Sequence, residues 1–167
     1  MKLIISIPTY NRPERLLRTV NALLPQIVDG SRIEIFDNAS DRELGDLWVL
    51  QRNFPDKLRI TRNVANVGGA ANIIRCVESV DAEWVWVLGD DDAPFETAVA
   101  TILEKIQHAS HTCMINFASD WSGKRQKTIR CKTVGELCAH NASLQNLLFI
   151  STSVFHRATF LSHLRFA

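Results

Sequence analysis

No glycine follows the first apolar run of this chain. Where a dinucleotide-binding fold carries its G-x-G-x-x-G turn, the sequence reads Ile7-Pro8-Thr9-Tyr10-Asn11-Arg12. A G-x-x-x-x-G-K-[ST] loop is missing too, so a pyrophosphate here would be held through a metal rather than by a glycine-rich helix N-terminus. Charge of one sign is also lacking. The 167 residues carry a formal net charge of +1, which offers no basic footprint for nucleic acid and no acidic tail. The four cysteines, Cys76, Cys113, Cys131 and Cys138, form no C-x-x-C pair and read as reduced, mostly packed thiols. The five histidines lack the spacing of a zinc site. No stretch approaches a membrane span, and Leu3-Ile4-Ile5 is too short for the apolar region of a signal peptide. A cytoplasmic protein is the expectation.

What is present is globular composition, 46% hydrophobic and 22% charged, with no disorder signature. A chain of this length is expected to form one domain, over residues 1–167, with a substantial core. Its first half alternates between two periods. Leu3 to Ile7 reads as a strand ended by Pro8, and Pro13 opens a helix with Leu16, Leu17, Val20, Leu23 and Leu24 at helical spacing. Ile33 to Phe36 is a second strand, followed by a helix through Leu44, Leu47, Trp48 and Leu50 that stops near Pro55. Leu58 to Thr61 is a third strand, and Gly68-Gly69 leads into a helix carrying Ile73, Ile74 and Val77. Trp84 to Leu88 is a fourth strand, with a helix from about Pro94 to His108 after it. This alternation predicts an α/β fold with a mostly parallel central sheet and helices on both faces. The carboxyl ends of the strands, and the ligand crevice, then share one edge. Beyond residue 112 the pattern weakens. Cys113 to Phe117 and Ser153 to Phe155 fit strands, Asp120 to Lys132 a polar loop or hairpin, Val134 to Ile150 a short helix with an apolar end, and Arg157 to Leu164 a helix.

The most informative feature is Asp90-Asp91-Asp92, set directly after the Trp84 to Leu88 strand and Gly89. Three adjacent carboxylates repel one another unless a cation sits among them. Their hard oxygens suit Mg²⁺ or Mn²⁺, ions usually shared with substrate phosphates. The competing reading is a solvated acidic turn that caps the helix near Pro94. Two further segments fall on the same edge: Pro8-Thr9-Tyr10-Asn11-Arg12 after the first strand and Asp37-Asn38 after the second. Acidic, amide, hydroxyl and aromatic groups gathered there are what a small-molecule site needs.

These residues resemble a known family. Ile5-Ser6-Ile7-Pro8-Thr9-Tyr10-Asn11-Arg12 looks like the opening strand of family 2 glycosyltransferases, and Ile35-Phe36-Asp37-Asn38-Ala39-Ser40 like the second strand with its terminal aspartate. Asn66-Val67-Gly68-Gly69-Ala70-Ala71-Asn72 is similar to the family's N-x-G…N segment, and Trp86-Val87-Leu88-Gly89-Asp90-Asp91-Asp92 to its metal-binding D-x-D region. A looser likeness covers Ile150 to Arg157. The resemblance implies a GT-A, Rossmann-like fold, in which residues 1–110 form a nucleotide-sugar-binding half and 111–167 a partial acceptor-side half. It also implies inverting transfer of a sugar from a nucleoside-diphosphate donor. By position, Pro8, Thr9 and Tyr10 would line the nucleotide pocket. Asp37 would accept a hydrogen bond from the base, which for uracil is its ring N–H, making a UDP-sugar the leading expectation. Asn66, Gly68 and Asn72 would shape the floor beneath the ribose or donor sugar. Asp90 to Asp92 would hold the ribose and a Mn²⁺ or Mg²⁺ ion, either through Asp90 and Asp92 or through Asp91 and Asp92, with Asp92 as the direct ligand. The implied acceptor is a glycan or a lipid-linked sugar, which would set the chain at the inner face of a membrane during envelope polysaccharide synthesis.

Family members take their catalytic base from an acidic motif well downstream of the D-x-D region. Between Asp92 and Ala167 the only acids are Glu96, Glu104, Asp120 and Glu136. Glu96 and Glu104 fall in a predicted helix, and Asp120 is a poor candidate, so no base is assigned. The shortened C-terminal region leaves a second reading open, a nucleotide-sugar-binding module without turnover. A nucleotidyltransferase, the third rival, would carry a glycine- and basic-rich loop near its N-terminus, and Pro8 to Arg15 supplies arginines without glycine.

Overall fold

The computed structural model describes residues 1–117, 128–140 and 149–164. Its strands are β1 Leu3–Thr9, β2 Ser31–Asp37, β3 Leu58–Arg62, β4 Trp84–Val87, β5 Met114–Asn116 and β6 Ser153–His156. Its helices are α1 Pro13–Leu23, α2 Asp46–Asn53, α3 Gly69–Glu78, α4 Ala98–Gln107, α5 Val134–His140 and α6 Arg157–Leu164. The strands form one sheet in the order β3-β2-β1-β4-β6-β5. β1 to β4 are mutually parallel, as crossover helices require. β6 runs antiparallel to both β4 and β5.

Alternation along each strand divides the core between the two faces of the sheet. On one face Leu3, Ile5 and Ile7 of β1 and Ile33 and Ile35 of β2 pack with Leu16, Val20 and Leu23 of α1 and Val99, Ile102 and Ile106 of α4. On the other, Ile4, Phe36, Val85 and Val87 meet Cys76 and Val77 of α3, with Phe160 and Leu161 of α6 packed against them. Parallel strands covered on both sides are apolar almost throughout, which is why these segments were legible as continuous runs. Within α3, Ile74 is exposed; at about 100° per residue it lies across the helix from the buried Asn72 and Cys76.

Two helix starts depart from the sequence reading: α2 begins at Asp46 and leaves Leu44 outside it. α4 begins at Ala98, with Thr97 as its N-cap, and not near Pro94. Gln26 takes over the start of the helix: its amide donates to the Phe95 carbonyl at 3.0 Å and accepts from Val99 N–H at 3.2 Å. The acidic triplet is therefore not the cap of this helix. Residues 118–127 and 141–148, which include Asp120 and much of the expected polar loop, lie outside the described residues. Among the described residues no helix is long and apolar enough to cross a membrane.

Ile5 sits fully buried in the central strand. Ile5→Ala is expected to lower unfolding free energy by about 3 kcal/mol, within the span of buried Ile→Ala changes, measured by urea denaturation. Burial also pushes the Cys76 thiol up to about 12, whereas Cys113 is exposed. A thiol reagent at pH 8 should label Cys113 in the native chain and Cys76 only after unfolding, because the thiolate is the reactive form.

Candidate functional site

Register brings the first part of the site together. Thr9 of β1 pairs with Asp37 of β2, and Asp37 with Arg62 of β3, so three strand ends finish side by side. The ladder continues one step further through Asn38 N–H to Thr9 C=O at 2.9 Å and Asn63 N–H to Asp37 C=O at 2.8 Å. Asp37 is fully buried. Its Oδ1 accepts from Ser40 N–H at 3.1 Å and from the Ser40 hydroxyl. Its Oδ2 makes no hydrogen bond, although the Arg62 guanidinium lies at ion-pair distance, 3.5 Å. Arg62 in turn donates to the Ser40 carbonyl at 2.5 Å. A buried carboxylate oxygen without a hydrogen bond is uncommon, and here the charge of Arg62 faces it.

β4 ends beside β1 and carries the acidic triplet to the same edge. Its three carboxylates do not converge; each turns to its own partners. Asp90 is buried, with Oδ2 accepting from the Thr9 hydroxyl at 2.8 Å and Oδ1 from Arg12 at 3.2 Å. Asp91 is exposed, and its Oδ2 meets Arg15 at 2.9 Å and Arg12 at 3.4 Å. Asp92 folds back so that its Oδ2 accepts from Gly89 N–H at 3.0 Å and from the Ser151 hydroxyl. The Thr19 hydroxyl of α1 lies 3.1 Å from the Asp90 carbonyl and 2.9 Å from that of Asp92, which fixes the backbone of the turn. Much of the positive charge that the triplet demands thus comes from Arg12 and Arg15, at and just beyond the start of α1.

The third part is a buried amide network under the loop between β3 and α3. Asn63 donates to Asn38 Oδ1 at 3.0 Å and to Asn72 Oδ1 at 2.9 Å, and accepts from Arg75 at 2.7 Å. Asn72 donates to the Phe36 carbonyl at 2.9 Å. Asn38 donates to Asn66 Oδ1 at 2.8 Å and accepts from Val67 N–H at 3.0 Å. Asn66 Oδ1 also takes Gly68 N–H at 2.9 Å. Gly68 itself sits at φ +86°, a conformation that a side chain would strain.

Of the residues expected at the site, Thr9, Asp37, Asp90, Asp91 and Asp92 are brought to one edge of the sheet. Pro8 precedes Thr9 within β1, and Tyr10 is exposed beyond it, its hydroxyl 3.4 Å from Asp41. Asn66 and Gly68 lie on the exposed loop, whereas Asn72 is buried with both ends of its amide engaged. The sequence reading missed Thr19, Arg62, Asn63 and Ser151 as parts of the site, and passed over Arg12 and Arg15 as counter-ions. Their roles come from long-range placement; the basic pair at the start of a helix facing three acids was the one available signal. A cavity of about 420 Å³ lies between α1 and the Arg42–Leu47 segment and does not include the triplet.

Among the described residues no three acidic, histidine or cysteine side chains form a metal cage. A cation shared with a ligand would draw on the carboxylate oxygens that these pairings leave open. Both oxygens of Asp90 are engaged, but Asp91 and Asp92 each keep an Oδ1 without a hydrogen bond among the described residues. Two carboxylate oxygens are a usual protein contribution to an ion whose other ligands are phosphates and waters.

The sequence profile of Glycosyl transferase family 2 matches residues 4–161. The chain belongs to this family. An abequosyltransferase of Salmonella typhimurium is 36% identical over 101 residues, covering 58% of this chain and 30% of that protein. A galactofuranosyltransferase of Mycolicibacterium smegmatis is 27% identical over 100 residues, covering 60% and 33%. The chain thus spans about a third of the length of these relatives. S. aureus TarS, in a complex with UDP, superposes with a TM-score of 0.72 at 17% identity, over 98% of this chain and 49% of that one. A mannosyltransferase from Pyrobaculum calidifontis, in a complex with GDP-Man and Mn²⁺, gives 0.59 at 14% identity over 71% and 35%. The mixed sheet and its helices are thus the GT-A fold of a glycosyltransferase.

Asn63→Ala would leave the amide oxygens of Asn38 and Asn72 short of a donor in a buried setting. The expected loss is about 1–3 kcal/mol of stability, with faster hydrogen exchange at Val67 and Gly68, whose amides depend on the same network. Unchanged exchange there would show that the amides do not support the loop.

Proposed function

We propose that this chain binds a nucleoside-diphosphate sugar along the carboxyl edge of β1, β2 and β4 and takes part in its inverting transfer to a glycan or lipid-linked acceptor. The observation that carries the reading is Asp37 Oδ2, a buried acceptor with no hydrogen bond that faces the Arg62 guanidinium at 3.5 Å, at a strand end on the same sheet edge as the acidic triplet. A ring N–H of a base such as uracil supplies the missing donor, and a UDP-sugar is therefore the leading candidate. Pro8, Thr9 and Tyr10 form the rim of the base pocket in this reading. Asn66 and Gly68 border the sugar, with Asn72 holding their loop from below. TarS binding UDP and the mannosyltransferase binding GDP-Man on the same fold support a donor of this class.

Of the two registers open for a divalent ion, Asp91 with Asp92 is the better supported, because Asp90 is consumed by Thr9 and Arg12. A Mn²⁺ or Mg²⁺ ion bound there would supply Lewis-acid stabilisation to the departing diphosphate. Arg12 and Arg15 add fixed positive charge where negative charge develops as the sugar bond breaks. Thr19 and Ser151 keep the turn that presents these groups in place. Deprotonation of the acceptor hydroxyl needs a base from the opposite face of the sugar; Asp120 lies outside the described residues, and no described residue is given that role. Lipid-linked acceptors would bring the chain to the inner face of a membrane.

The experiment is a thermal-shift screen of UDP, GDP, CDP and dTDP with and without Mn²⁺. One diphosphate is expected to stabilise the chain by about 2.7 kcal/mol at 100 times its Kd, and more weakly without metal. Asp37→Ala should weaken that binding about 10-fold or more, in line with loss of a hydrogen bond to a charged group. If Asp37→Ala binds as the parent does, the base sits elsewhere; if no diphosphate stabilises the fold, the donor site itself is refuted. Saturable binding without sugar transfer would favour the binding-module reading.

A further inference from the structure

We infer that Ser151 is a positioning residue for Asp92: it pins one carboxylate oxygen and thereby leaves the other for a ligand cation. This rests on the donor-site reading above and adds a residue from the far end of the chain to it. Asp92 and Ser151 are 59 positions apart, and no motif of the first half points to such a contact.

The geometry is a closed triangle. Gly89 N–H lies 3.0 Å from both Asp92 Oδ2 and Ser151 Oγ. The Ser151 hydroxyl donates to the same Asp92 oxygen, so the serine accepts from Gly89 and donates to the aspartate at once. Its own backbone is fixed by Trp86, whose indole N–H donates to the Ser151 carbonyl at 2.7 Å. Trp86 is buried in β4, three residues before Gly89, and pairs across the sheet with Val154 of β6. The support of Asp92 is therefore built into the antiparallel β4–β6 contact and does not depend on an exposed side chain.

Gly89 admits the arrangement. A Cβ at that position would stand 2.6 Å from Asp92 Oδ2 and 3.2 Å from its carboxyl carbon, so a side chain there forces the carboxylate out of the triangle. Two donors on Oδ2 hold the carboxylate plane and leave Oδ1 without a hydrogen bond among the described residues. Groups that orient a metal ligand in this way typically change metal affinity about 10–100-fold when removed.

The test uses the full chain, Mn²⁺ and the diphosphate that stabilises it best among UDP, GDP, CDP and dTDP. Ser151→Ala should raise the Mn²⁺ concentration needed for half-maximal binding about 10-fold, a larger fold-change than it causes in metal-free nucleotide affinity. Ser151→Thr, which keeps the hydroxyl, should restore the Mn²⁺ midpoint. Gly89→Ala should reproduce the Ser151→Ala shift by displacing Asp92 directly. Asp92→Ala serves as the reference and should lose the metal-dependent component altogether. If Asp92→Ala loses it and Ser151→Ala does not, the positioning role is overturned while the donor site stands. If Asp92→Ala binds Mn²⁺ and nucleotide as the parent does, the positioning role and the assignment of the ion to Asp92 both fall. Equal losses of metal-free and metal-dependent binding in Ser151→Ala would mark the serine as merely structural and overturn the inference.

Discussion

Crowded negative charge is the constraint around which the carboxyl edge of this sheet is organised. Three consecutive carboxylates at a strand end are unfavourable unless each finds compensation. Asp90 finds it inside, from the Thr9 hydroxyl and Arg12. Asp91 finds it at the surface, from Arg15, where such pairs contribute little stability and break readily. Asp92 finds it in a backbone N–H and a serine hydroxyl. The division leaves one carboxylate spent on the scaffold and two whose Oδ1 makes no hydrogen bond among the described residues.

Parallel pairing makes that edge reproducible. Because β1, β2 and β3 end in register, Thr9, Asp37 and Arg62 cannot drift relative to one another without breaking the ladder. The helices behind them are bound by the two apolar layers, and α1 brings Arg12, Arg15 and Thr19 forward as it packs Leu16, Val20 and Leu23 inward. The same burial that stabilises the sheet therefore aims the polar groups. Chemistry and packing share one element, a common arrangement where α/β sheets bind ligands at the carboxyl ends of their strands.

Much of the fold was legible in the chain because buried parallel strands write continuous apolar runs, and amphipathic helices write a spacing of three and four. β1 to β4 and the helices between them stand within a few residues of where Leu3, Ile33, Leu58 and Trp84 begin their runs. The error at α4 has a physical cause: Pro94 can open a helix, but Gln26, distant in sequence, donates to the Phe95 carbonyl and accepts from Val99 N–H, which sets the start further on. The acidic triplet was legible at the end of β4, and its compensation was not. Acids reveal a demand for positive charge without revealing whether arginine, metal or both supply it.

Composition and order determined by themselves that this chain would fold as an α/β layer with Pro8 to Arg12, Asp37 and the aspartate triplet on one edge, because periodicity and chain direction are local properties. Only the tertiary structure decided that Asp90 is spent on Thr9 and Arg12, that Asn63 lies at the centre of a buried amide network, and that Ser151 reaches Asp92. Those pairings span up to 81 positions, and hydrogen bonds over such separations depend on strand order and register, which no short stretch of sequence encodes.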